Sequence, residues 1–207
     1  MNKLQIYTSI DYHLNWLWTF LQKWYIYAMN MNFYKQITTG NAGLKCRNAN
    51  IKRVLDAPEL LHDLVQIATN LSDKNQHKAI WIVEMLAEQN AAILQPYAQK
   101  LLDTIPQFKH ESAIRGSSRI VLFMSKFEPI FLTEAQQQTC IEIALDWLIN
   151  DQIKVAPKAN ALYTLAHYMK KQTWLKDELR EIIGKDFAQQ SVAYKAAAKV
   201  VLKKLKA

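Results

Sequence analysis

Residues 77–90 read HKAIWIVEMLAEQN, and three later stretches share their register: ESAIRGSSRIVLFMSKF at 111–127, PKANALYTLAHYMKK at 157–171 and SVAYKAAAKVVLKKL at 191–205. Aligned on a base followed by a small residue, they give Lys78-Ala79, Arg115-Gly116, Lys158-Ala159 and Lys195-Ala196. The bases lie 37, 43 and 37 residues apart, and seven positions after them come Met85, Leu122, Leu165 and Leu202. A period of that length belongs to the range of two-helix repeats.

Each stretch has a helical partner ahead of it, separated by a short polar break. In the first pair Asp56 is placed to cap a helix with Pro58 near its first turn, and Leu60, Leu64, Ile67 and Leu71 mark a buried stripe. The second begins near Gln95-Pro96, with Leu94, Tyr97, Leu101 and Ile105 on one face. Thr133 opens the third as a capping residue ahead of Ile141, Ala144 and Leu148. The fourth runs from Thr173 through Leu175, Leu179, Ile182 and Ile183. Upstream, Leu44, Asn48, Ile51 and Leu55 share one helical face while Lys45, Arg47, Lys52 and Arg53 lie elsewhere, which predicts a further helix. Four glycines and five prolines in 207 residues are too few for the turns of an all-β chain, so the fold class is all-α.

From about Asp56 to Leu205 the chain resembles a HEAT or armadillo-type array. That resemblance implies an α-α superhelix, a HEAT-like solenoid of about four helix pairs preceded by N-terminal helices. In such arrays the base near the start of the second helix often pairs with an acid in the preceding turn. Asp73 before Lys78, Glu111 before Arg115 and Asp151 before Lys158 fit, while Gln190 and Ser191 precede Lys195, as at a terminal cap. Small bacterial helical proteins similar to this one also carry the label adenylosuccinate lyase. Lyases of that superfamily have a mobile loop opening on Gly-Ser-Ser with a catalytic serine, followed by Met, Lys and Asn. Here Gly116-Ser117-Ser118 matches the first three residues only and runs on into Arg119-Ile120-Val121-Leu122 inside an apparent helix.

The formal charge is +8, carried by 26 Lys plus Arg against 18 Asp plus Glu, and 21 of the bases are lysine. Lysine dominance points to a solvated surface more than to bidentate reading of phosphates or bases. After Asp186 there is no acid, and Lys195, Lys199, Lys203, Lys204 and Lys206 crowd the last helix; without those five lysines the formal charge falls to +3. Cys46 and Cys140 fit no metal-ligand or redox spacing, and His62, His77, His110 and His167 are scattered on helix starts and bodies, with His13 near the N-terminus. No HExxH, phosphate-cradling glycine loop, nucleophile elbow or CxxC is present. The reading is therefore of a cytoplasmic protein without metal or other cofactor, more a binder than an enzyme. Trp81 and Glu84 invite comparison with helical-repeat DNA alkylation-repair glycosylases, which use aromatic and acidic residues on a basic concave face. The resemblance is of fold type alone, and an acid three residues after a buried Trp is expected on the solvent side of its helix.

Residues 1–30 differ in composition from the remainder, with Trp16, Trp18, Trp24, four tyrosines and one acid, Asp11. Leu14, Leu17, Trp18, Leu21 and Tyr25 make one apolar helical face, interrupted by polar residues too often for a membrane span of about 20 apolar residues. This segment reads either as an aromatic-rich helix or as a translated extension ahead of Met31, with residues 31–207 forming the repeat domain.

Three uses of the scaffold follow. The first is binding of a protein or peptide. The second is binding of nucleic acid through Lys78, Arg115, Lys158, Lys195, Lys199 and Lys203. The lyase activity implied by the label comes last.

Overall fold

The computed structural model describes residues 30–127 and 132–205, the side chain of Asp186 excepted. Every regular element among them is a helix, and none is long and apolar enough to cross a membrane. The atypical segment 1–30 lies outside the described residues, apart from Asn30.

In chain order the α-helices are α1 (Met31–Thr39), α2 (Leu44–Asp56), α3 (Leu60–Thr69), α4 (Gln76–Asn90), α5 (Ala98–Thr104), α6 (Glu111–Lys126), α7 (Glu134–Ile149), α8 (Val155–Tyr168), α9 (Leu175–Asp186) and α10 (Val192–Leu205). They form two layers. The even-numbered helices pack in succession, α2 on α4, α4 on α6, α6 on α8 and α8 on α10, and the odd-numbered ones from α1 to α7 do likewise. The layers close on one another through α3 with α4, α7 with α8 and α9 with α10.

Each helix buries a stripe at the spacing of its turns. Leu64, Ile67 and Ala68 of α3 and Ala79, Ile80 and Val83 of α4, helices that pack on one another, are all essentially inaccessible. Leu94, Leu101 and Ile105, then Ile141, Ala144 and Leu148, then Leu175, Leu179 and Ile183 continue the odd layer's contribution to one core. Fully burying a Leu or Ile side chain stabilises by about 1.5–3 kcal/mol before entropy is counted, so this core is what selects the helical packing.

Local chemistry sets the helix ends. Thr133 accepts from the backbone N–H of Gln136, whose side chain accepts from the Thr133 N–H, completing a capping box. Asn30 caps α1 through Phe33 N–H, and its own N–H donates to Asp63 of α3. The segment around Pro96 and Pro106 is not one helix: α5 is flanked by 3-10 turns at Ala91–Tyr97 and Ile105–Gln107. A proline lacks the N–H that an α-helical bond requires, and the tighter turn accommodates the loss.

Three expectations are corrected. Asp56 caps nothing; it ends α2, where Lys52 pairs with it at 2.7 Å, and α3 starts four residues later. Leu71 lies beyond α3 and is exposed. In α2 the buried residues are Asn50, Ile51 and Val54, with Leu44 and Leu55 exposed and Arg47 half-buried. The face is rotated because α2 packs on α4, whose interior includes a carboxylate.

Candidate functional site

α4 and α6 pack tightly against one another at Gly116. A Cβ at that position would lie 2.6 Å from Cγ2 of Ile80 and 3.2 Å from Oε2 of Glu84, so only glycine permits this spacing. One turn further along each helix, the proximity brings Arg119 against Glu84. Nε of Arg119 lies 2.7 Å from Oε1 of Glu84, at ion-pair distance without the alignment of a hydrogen bond, and Nη2 reaches Oε1 of Glu88 at 2.7 Å. The same guanidinium stands over the Phe123 ring, 5.1 Å from its centroid.

Glu84 is only 5% exposed, which overturns the expectation of a solvent-facing acid. Its Oε2 is buried without a hydrogen-bond partner. Burial raises its pKa above the ordinary carboxylate value; Arg119, then Arg115 and Arg47, oppose that rise, and Glu88 adds to it. Arg47 of α2, Arg115 and Arg119 of α6, and Glu84 and Glu88 of α4 thus form one charge cluster across three helices. Sequence reading missed it because alternate charges on separate helices carry no spacing signal.

Trp81, one turn before Glu84, is half-buried, and its indole N–H donates to Ser112 Oγ at 2.7 Å. The His77 ring meets Trp81 edge-on at 5.2 Å and stacks on His110 at 4.1 Å. Nδ1 of His110 accepts from Ser112 N–H and caps α6, a structural role for this histidine. Further along, Asn160 of α8 donates to Ser118 Oγ at 2.9 Å, and Lys126 stands 5.8 Å from the centroid of the half-buried Tyr163. A recess of about 370 Å³ between residues 110–115 and 152–157 has Arg115 and Lys154 in its wall, with Lys154 3.5 Å from Glu111.

The six bases singled out in the sequence have different fates. Lys78 donates to the Thr38 carbonyl at the end of α1, and Lys195 to the Ala188 carbonyl at 2.7 Å, so both tie helices together. Lys158 is 7% exposed. Arg115, Lys199 and Lys203 are exposed. Two of the three acids expected to partner these bases are engaged elsewhere: Asp73 accepts from Asn75 N–H, and Glu111 pairs with Lys154. Gly116-Ser117-Ser118 lies buried in the middle of α6, contrary to the mobile loop that the lyase resemblance implies. No protein-family model and no curated protein matches the chain.

Proposed function

We propose that the protein is a non-catalytic, HEAT-like helical-repeat scaffold whose even-numbered helices bind a protein or peptide. The observation that carries this reading is a half-buried aromatic on each of three successive even-numbered helices, Trp81 on α4, Phe123 on α6 and Tyr163 on α8, with Arg119 over the Phe123 ring and Lys126 near the Tyr163 ring. Aromatic and arginine side chains dominate the binding energy of protein interfaces, because each buries large area on a rigid frame while keeping a polar or cationic function. The recess beside Arg115 suits an anchoring side chain. A photo-crosslinking residue at Tyr163, introduced in native cells, should yield a discrete adduct that disappears with Arg115→Glu, whereas the same label at Leu71 should not. Equal labelling from both positions would reject the surface.

A second reading, nucleic-acid binding, is favoured by Lys195, Lys199 and Lys203, which recur each turn along α10. It requires affinity for duplex or single-stranded DNA or RNA that falls steeply as salt rises. Absence of binding at low salt would remove it.

A further inference from the structure

The turn after α8 carries a second feature, independent of the surface above. A cleft of about 710 Å³ opens between the end of α8, the start of α9 and the last turn of α10, lined by Lys170, Lys171, Lys176 and Lys204 together with Ala166, His167 and Met169. No carboxylate among the described residues lines it. Among the described residues, none of the four ammonium groups is in a hydrogen bond or ion pair, in contrast to Lys52, Lys78 and Lys195. Lys126, at the end of α6, stands close enough for the Lys204 charge to add to the effect of burial in lowering its pKa.

Helix C-termini attract cations, and α8 and α10 both end here, which accounts for one lysine at each. It does not account for four lysines around one concavity with no carboxylate among its described lining residues, an arrangement whose mutual repulsion a bound anion would relieve. Ala166 and Met169 are 4% and 3% exposed and form an apolar floor beneath this rim. The volume is within the ~300–1,000 Å³ of small-molecule sites.

We infer that this cleft binds a small polyphosphate bearing an apolar or planar group, with the phosphates on Lys170, Lys171, Lys176 and Lys204 and the apolar group on Ala166 and Met169. The lysines surround a hollow rather than running in a line, which favours a compact anion over a nucleic-acid backbone. Phosphate oxygens would neutralise the rim through charge-assisted hydrogen bonds, strengthened by the partly enclosed setting.

The test is calorimetric titration of the purified full chain, in dilute phosphate-free buffer without added metal, with ATP, tripolyphosphate and a duplex DNA oligonucleotide. ATP should bind saturably and more tightly than tripolyphosphate. Lys171→Glu and Lys204→Glu should each weaken it by about tenfold or more, and Lys45→Glu, the same charge change at an exposed position on α2, by no more than about twofold. Circular-dichroism melts establish that each variant is folded. Failure of ATP to saturate, or equal weakening by Lys45→Glu, would overturn the site. Duplex binding sensitive to Lys171→Glu without ATP binding would overturn it in favour of a nucleic-acid track, and equal affinity for ATP and tripolyphosphate would overturn the role of the apolar floor.

Discussion

Nε of Arg119 sits 2.7 Å from the carboxylate of Glu84, and it does so because Gly116, one turn earlier on α6, lets the two helices approach without a side chain between them. An interior carboxylate of this kind is tolerated while its cation is present. Removing the cation leaves the desolvation cost without the attraction that offsets it.

Arg119→Met should therefore lower the unfolding free energy by about 2 kcal/mol, below the 3–5 kcal/mol of a fully buried pair because the arginine side chain is 34% exposed. Glu84→Gln keeps the shape and removes the charge, and should change stability by less than about 1 kcal/mol. Denaturant unfolding of both variants measures the contrast, and a larger loss in Glu84→Gln would contradict the account.

Two glycines make a paired prediction. Gly116→Ala forces Ile80 aside and should cost about 1–3 kcal/mol, despite alanine's better helix propensity. Gly184, in α9, has nothing within 4 Å of an added Cβ. Gly184→Ala should stabilise by up to about 1 kcal/mol, read as opposite shifts in thermal midpoint.

The stacked pair His77 and His110 predicts a pH dependence. Burial, then the neighbouring His110, lowers the His77 pKa below 6.5; contact with Lys78 acts the same way, while the Lys74 backbone and Asp73 oppose it. The unfolded chain binds the proton more readily, so stability rises with pH across the window from the lowered value up to 6.5 and is lost as pH falls through it. His77→Gln should flatten that part of the profile in denaturation measured between pH 5 and 7. An unchanged slope would assign the dependence elsewhere.

Cys140 lies in the core beside Ser125 and Tyr168, and burial pushes its thiol up to about 11. Near neutral pH it should resist alkylation in the folded protein and react only as denaturant opens the structure, with the half-buried Cys46 modified first. Mass mapping of the labelled peptides decides the order; early modification of Cys140 would show that the α6, α7 and α8 interface opens readily.

Local signals were legible where one helix alone determines the outcome. The stripe of α7, the Thr133 cap and the 77–90 helix can all be read from spacing and capping chemistry, since these depend on residues within a turn of one another. The rotated face of α2 was not. Leu44 and Leu55 look more apolar than Asn50, yet it is Asn50 that is buried, because the neighbouring helix decides which side is covered.

The sequence by itself determined the all-α class, the places of the long helices and the lysine-rich last helix, because hydrophobic periodicity and net charge are properties of the chain as written. Only the tertiary structure decided that Lys78 and Lys195 close helix ends, that Glu84 is an interior acid answered by Arg119, and that lysines from α8's end, α9 and α10 meet around one cleft. Except for the Lys195 contact, which reaches only seven residues back to Ala188, those relations join residues distant in the chain, and the packing of one helix on the next brings them together.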